Sequence, residues 1–366
     1  MKVVLATGIY PPQIGGPATY AYALAEDLSR RGIDVAVVTY ESRATSYELR
    51  ATSYDPWPVI RVSMRGGPML RWWRYAQALR THARGADIIY AFSSVSIGVP
   101  LWLAHVKNPR KILRLGGDFL WERYADRGGS LSLKDWYASR PLFKSVMNGI
   151  LRTFDYIVFS TRFQEELFER FYTGLPAHGV IENALPAGTP QLHRKHNPFR
   201  LLSLGRYVPF KNLGSLLMAL PDLPGVTLTF VGSGPLEQTL HDLTAQLHLE
   251  NRVTFLPPAE GAHKQRIFLE HDLLVLPSYT ELSPNTALEA RSHGLPVLLT
   301  EETGLSHTLS DAAQLRKLES PQDIVHAIVE VESGYESIAE RSARPLPERH
   351  WQKVGDETVE LFRSLL

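Results

Sequence analysis

Short runs of valine, isoleucine and leucine alternate with helix-period segments along almost the whole chain. The first half carries them at Val3–Ala6, Val35–Thr39, Asp87–Ala91, Lys111–Leu115 and Tyr156–Phe159. The second half repeats them at Leu201–Leu204, Thr227–Val231, Val253–Leu256, Leu273–Leu276 and Pro296–Leu299. A run that is apolar without alternation is buried on both faces, as a strand is in a parallel sheet covered by helices. Parallel neighbours need crossover connections, and these are right-handed. The pattern predicts an α/β chain of two Rossmann-like doubly wound domains. A length of 366 residues, 44% of them hydrophobic, has room for two cores.

Residues 183–198 are rich in proline, glycine and polar side chains and have no apolar period, which reads as a linker. We place the boundary near residue 190, giving domains 1–188 and 189–349. His193 and His196 fall inside the linker with no acidic or further histidine ligand nearby, so they read as solvated rather than as a metal pair. After His350, the apolar positions Val354, Val359, Leu361, Phe362 and Leu366 predict an amphipathic helix that needs a surface to cover.

Composition removes several classes. Lys plus Arg number 39 against 38 Asp plus Glu, and a net charge of +1 supplies no general field for nucleic acid. The absence of cysteine excludes disulfide scaffolds, thiolate nucleophiles and cysteine metal centres. The apolar run at Met1–Gly8 is too short for a signal peptide and reads as a first strand, an expectation of a cytosolic chain. Ile88 to Val106 carries no charged side chain and is long enough to cross a bilayer. Ser93, Ser94, Ser96, Gly98 and Pro100 interrupt it, so we expect a strand at Ala86–Ala91, a polar turn and a buried helix through Trp102 and Leu103.

The sharpest local signal follows the predicted strand at Leu273. Ser283 suits a helix N-cap, Pro284 the first helical position, and Gly294 with Pro296 the stop. A helix starting at a strand's carboxyl end presents free N–H groups, from about Asn285 onward, where doubly wound folds bind anionic ligands. Glu281 stands in the loop before it and Glu289 about two turns further on, so both can face one ligand and accept from sugar or ribose hydroxyls. The alternative is a local cap at Glu281 and, at Glu289, a pair with a surface arginine. A second signal is Gly205-Arg206 with Lys211 after Leu201–Leu204, two cations able to converge on a diphosphate. Stray surface charge is the other reading. In the loop after the first strand, Gly15-Gly16 permits close backbone approach to a ligand, and Pro17 starts a helix that buries Tyr20, Leu24, Ala25 and Leu28. Gly232-Ser233-Gly234-Pro235 resembles the opening of a dinucleotide fingerprint but lacks its third glycine. Asp118, after Gly116-Gly117, is either catalytic or acceptor-positioning, or a cap for the helix that follows.

Taken in order, these residues resemble the family 4 glycosyltransferases of the GT-B fold. The resemblance is carried by Gly15-Gly16, Phe154–Thr161 with Val180–Asn183, Gly205-Arg206 with Lys211, Val231–Pro235 and Leu276–Glu281 through Glu289, and it spans nearly the whole chain. It implies two domains facing across a cleft, with a nucleotide-sugar donor, UDP- or GDP-linked, held mainly by the second. A glycan, lipid-linked or small-molecule acceptor would sit in the first, and transfer would retain the anomeric configuration. By matching motif, Glu281 would hold donor sugar hydroxyls, Glu289 the ribose, and Arg206 and Lys211 the leaving diphosphate. Gly15, Gly16, Gly234, Leu282, Ser283, Pro284 and Asn285 would complete the donor site. The helix after His350 would cross back onto the first domain. No Asp-x-Asp triplet occurs, so no metal and no further cofactor are expected, and fixed cations with the helix N-terminus would meet the developing charge. The family's usual first-domain histidine is replaced by Gly116-Gly117-Asp118, and Leu256-Pro257-Pro258 departs from the usual Leu-Gly. A non-catalytic nucleotide-sugar-binding partner and a nucleotide-sugar epimerase are the rival readings. Arginines and tryptophans over residues 65–84 suggest peripheral membrane contact. The alternative there is a partly solvated helix with Trp72 or Trp73 in the core.

Overall fold

The structure, a computed structural model, describes residues 1–13, 15–41, 55–139 and 141–366. It divides into two compact units. The first comprises Met1–Leu120, Tyr137–Ala184 and Arg349–Leu366, and the second Trp121–Trp136 and Leu185–Glu348.

The first unit holds a parallel sheet of β1 (Lys2–Ala6), β2 (Asp34–Tyr40), β3 (Val59–Val62), β4 (Ile88–Ala91), β5 (Arg110–Leu115), β6 (Tyr156–Phe159) and β7 (Ala177–Val180). Their order is β3-β2-β1-β4-β5-β6-β7. The central strands are buried throughout because both faces are covered: β1 reads fully buried from Val3 to Ala6, packed on Tyr20, Leu24, Ala25 and Leu28 of the helix Gly16–Arg30. The helix Trp351–Leu365 closes this core with Val354, Val359 and Phe362. Arg31 fixes its start, with Nη1 donating to Asp356 Oδ1 at 2.6 Å, and the Trp351 ring meets Tyr20 edge-on at 5.0 Å.

The second unit repeats the plan with β8 (Phe199–Leu204), β9 (Val226–Val231), β10 (Val253–Leu256), β11 (Leu273–Leu276), β12 (Val297–Thr300) and β13 (Ala313–Arg316), in the order β10-β9-β8-β11-β12-β13, all parallel. In each sheet the strand order reverses beside the first strand of its unit, so a crevice opens at the carboxyl ends of β1 and β4, and of β8 and β11.

Several expectations are corrected. His193 is not solvated: it is buried, with Nδ1 3.0 Å from the His271 carbonyl and Nε2 3.3 Å from that of His293. His196 places Nδ1 2.8 Å from Asp272 Oδ1, and that fully buried carboxylate also accepts from the backbone of His196 and Arg200. Both histidines therefore anchor the linker to the second unit. In the helix Pro68–His82 the buried side is Tyr75, Ala76 and Leu79, and neither tryptophan is core, Trp73 being exposed. Ile88 to Val106 is β4, a turn and the helix Gly98–Ala104, but Trp102 faces outward rather than into the core. Among the described residues no helix is long and apolar enough to cross a membrane.

Candidate active site

The crevice between β8 and β11 gathers the second unit's chemistry. After β8 the chain passes Gly205, with φ at +147°, and presents Arg206 exposed, with no side-chain partner among the described residues. A single turn of 3₁₀ helix, Pro209–Lys211, then delivers Lys211. It is pinned by Asn212, a left-handed residue at φ 52°, whose Nδ2 donates to the carbonyls of Leu318 and Glu319 at 3.0 and 3.1 Å. Sequence reasoning missed Asn212. Only its place beside Lys211 signals it.

Gly232 and Gly234 are explained by packing. A side chain at Gly234 would begin 2.5 Å from the Tyr207 carbonyl oxygen and 2.7 Å from its amide, and one at Gly232 would overlap the Gly205 carbonyl. The two loops lie backbone to backbone, with Tyr207 N donating to Ser233 and Leu236 N to Tyr207 at 3.0 and 3.1 Å. Gly234 thus holds the Arg206 loop in place.

From β11, Tyr279 N donates to the Phe210 carbonyl at 2.9 Å and joins the two loops. Glu281 pairs its backbone with Thr303 and its neighbours: its N–H donates to the Glu302 carbonyl at 3.0 Å and its carbonyl accepts from Gly304 at 2.8 Å. The carboxylate is buried at 6% exposure, not solvent-facing as the loop position suggests. Its Oε1 accepts from Ser278 Oγ at 2.6 Å and from Lys211 Nζ at 2.5 Å. Oε2 has no hydrogen-bond partner among the described residues. Lys211, Glu281 and the missed Ser278 therefore form one cluster beside the pocket lined by Gly205, Arg206, Tyr207 and Lys211.

The helix after the loop runs Asn285–Ser292. Its N-cap is Pro284, not Ser283, and no side chain caps it. The Ser283 carbonyl instead accepts from Asn285 N at 2.8 Å, and Leu282 is buried beneath. The first turn of a helix carries the positive end of its dipole. Gly294, at φ 85°, ends the segment, because its backbone lies against Gln191. Glu289 lines a separate pocket of about 320 Å³ with Glu260, Lys264, Phe268 and His293, and Lys264 Nζ donates to its Oε2. The cation partner is thus a lysine one helix away, which no local spacing announces. The His293 ring stacks on Phe268, and burial holds its pKa below the ordinary histidine value.

In the first unit Gly15 sits at the N-cap of Gly16–Arg30 with φ +154°, while a side chain built at Gly16 meets nothing within 4 Å. Its neighbour Ile14 lies outside the described residues. Asp118 is buried at the start of the helix Phe119–Ala125 and accepts from the Tyr137 hydroxyl at Oδ2. Burial, with the Asp118 charge beside it, raises the Tyr137 pKa well above the ordinary tyrosine value, so Tyr137 stays protonated as a donor. Arg114, also missed, is buried under Tyr20 with its guanidinium carbon 3.9 Å from the ring centre, and donates to Ile181 O and Asn183 Oδ1 at 3.0 and 2.6 Å.

Comparison with known proteins agrees with the two-unit plan. Residues 15–184 match the glycosyl transferase 4-like domain and residues 189–344 the glycosyl transferases group 1. An uncharacterised glycosyltransferase of Methanocaldococcus jannaschii is 25% identical over 99% of this chain and 98% of its own. Among solved structures, sucrose-phosphate synthase from Thermosynechococcus elongatus superposes with a TM-score of 0.79 at 19% identity, covering 100% of this chain and 98% of that one. Anabaena HepE, solved with UDP and glucose, gives 0.72 at 18% identity over 100% of both chains.

Proposed function

The chain belongs to the family 4-like glycosyltransferases and has their GT-B fold, and from that premise we propose that it moves a sugar from a nucleotide-sugar donor to a glycan, lipid-linked or small-molecule acceptor with retention of configuration. The observation that carries this reading is the convergence of Arg206, Lys211 and Glu281 at the β8/β11 crevice. As the bond between the anomeric carbon and the diphosphate breaks, the electron pair leaves with the phosphate oxygen. In this reading Arg206, Lys211 and the first turn of the helix Asn285–Ser292 meet that charge, with no divalent ion and no further cofactor. Glu281 Oε2, left open by the lysine and serine on Oε1, accepts from a donor sugar hydroxyl, and Glu289 from the ribose. The bare backbone at Gly15 and Gly16 gives phosphate oxygens close approach, and Asp118, steadied by Tyr137, serves the acceptor side. The donor in this reading is UDP- or GDP-linked, and HepE, which shares the fold, was solved with UDP. The same reading puts the protein in the cytoplasm, in contact with the inner membrane face through residues 65–84 and active in polysaccharide assembly.

The test is a panel of UDP- and GDP-sugars with nucleoside diphosphate release as the readout. Donor-specific binding with slow hydrolysis, accelerated by an acceptor, is the expected result. Binding without turnover under any acceptor makes the chain a non-catalytic partner, and conversion of one donor into another without an acceptor makes it an epimerase.

A further inference from the structure

The inference below rests on the membrane contact of residues 65–84 proposed above and deepens it, but not on the transfer chemistry. On the helix Pro68–His82, flanking the buried stripe of Tyr75, Ala76 and Leu79, Met69 is exposed at 81%, Leu70 at 43% and Trp73 at 57%. With 3.6 residues per turn, Met69, Trp73 and Arg80 lie on one stripe, which Arg84 continues past the helix end. Arg80 Nε and Nη2 donate to the Ala104 and Leu103 carbonyls at 2.8 and 2.9 Å, so the stripe meets the end of the helix Gly98–Ala104. There Trp102 is 56% exposed, its ring 6.2 Å from His105, and exposed Lys107 follows. An outward apolar and aromatic set of this size is costly in water, and it is unusual on a surface that has no partner.

Charge says what covers it. From Pro56 to Gly117 the only carboxylate is Asp87, and that one accepts from the backbone of Lys2. Arg65, Arg74, Arg84 and Lys107 are in no ion pair among the described residues. Aliphatic and indole side chains ringed by unpaired cations fit the boundary between headgroups and acyl chains, where methionine and leucine enter hydrocarbon and arginine reaches phosphate. Nucleic acid fits less well, because Met69 and Leu70 offer no stacking face. We propose that this face of the first unit docks on a bilayer containing anionic phospholipid, with Trp73 and Trp102 as its two anchors.

The full-length protein is sedimented with vesicles of phosphatidylcholine plus phosphatidylglycerol and, separately, of phosphatidylcholine alone, without any donor present. Its failure is thus distinct from a failure of turnover. Binding to the anionic vesicles is expected, weaker by about tenfold or more on neutral vesicles and at raised salt. Trp73→Ser with Trp102→Ser, and separately Arg84→Glu with Lys107→Glu, should each lower the partition by about tenfold while near-ultraviolet circular dichroism stays unchanged. The proposal is overturned by a wild-type protein that stays in the supernatant, by tryptophan variants that bind as wild type does, or by heparin binding that matches or exceeds vesicle binding.

Discussion

At the scale of the residue, the informative pair is Lys211 and Glu281. A carboxylate at 6% exposure is tolerable only with donors, and Glu281 Oε1 has two, at 2.6 and 2.5 Å. Truncating Lys211 to alanine leaves that charge short of a partner, so stability should fall by about 1–3 kcal/mol along with affinity for nucleoside diphosphate. Glu281→Gln keeps the shape and the serine contact, so its melting temperature should stay close to wild type while kcat/KM drops by about a hundredfold or more. A kcat/KM within about threefold of wild type would remove Glu281 from the site. Because the two cations carry the phosphate charge in our reading, turnover should also survive EDTA unchanged, and its loss there would mean that a divalent ion takes part. The glycines separate structure from ligand in the same way. Gly234→Ala presses on the Tyr207 backbone and should unfold the loop at lower temperature, whereas Gly16→Ala enters open space and should leave the melt alone and raise only the donor KM. Equal melting losses in the two variants would contradict that division. The two glycine loops look alike in sequence, because backbone approach to a ligand and backbone approach to another loop place the same demand on the residue.

At the scale of the element, the segment Trp121–Trp136 shows what local pattern leaves hidden. Sequence places it in the first domain, after Asp118, yet it packs with the second unit. Leu133 N donates to Thr280 Oγ1 at 2.9 Å and Lys134 N to Glu302 Oε1 at 3.0 Å, while Thr280 Oγ1 donates to the same Glu302 oxygen at 2.7 Å. The Trp121 ring lies 5.3 Å from Phe210, next to Lys211. These partners stand far along the chain, so no window of sequence contains the information. The segment braces the loop that carries Glu281. Thr280→Val removes both hydroxyl contacts and should speed amide exchange at Leu133 and Lys134 by about tenfold or more, while β11 amides stay protected. Unchanged exchange at those two amides would show that the brace is held by its apolar contacts alone. The misplaced cap has a similar cause. Ser283-Pro284 is a sound helix start by local rules, but after Glu281 pairs with Glu302 and Gly304 the chain bends at Leu282 and Ser283 and turns at Pro284, at φ −78° and ψ 56°, so the helix begins only at Asn285.

At the scale of the whole molecule, the strands legible in sequence are those covered on both faces, together with one sheet edge, β10, whose residues still read as an apolar run. Those that went unread, β3, β7 and β13, are sheet edges with mostly half-buried side chains, Val62 and Ala313 being their two buried positions, so their polar positions break the apolar run. The arrangement of buried histidines was equally illegible, and it sets how the two units respond to acid. In the second unit His271 is buried with Nδ1 2.7 Å from the Ile267 carbonyl and Nε2 2.9 Å from Thr229 Oγ1, and burial lowers its pKa below the ordinary 6.5, as it does for His293. In the first unit burial acts against His178, but the Pro176 carbonyl and the Glu169 and Glu165 carboxylates outweigh it and raise its pKa. A group with a lowered pKa binds its proton more readily when unfolded, so its stabilisation is whole above about 6.5 and is lost as pH falls below that value. A raised one binds more readily when folded, so its stabilisation is present in acid and fades as pH climbs through the folded value. Lowering pH from about 7.5 to about 5.5 should therefore weaken the second unit while the first holds or gains slightly. Calorimetry on the intact protein, with hydrogen exchange of β9 amides against β1 amides to assign the transitions, reads this directly. His271→Gln keeps the hydrogen-bonding partners but cannot titrate, so it should flatten the acid loss of the second unit. An acid loss as steep as that of wild type in this variant would place the titrating group elsewhere.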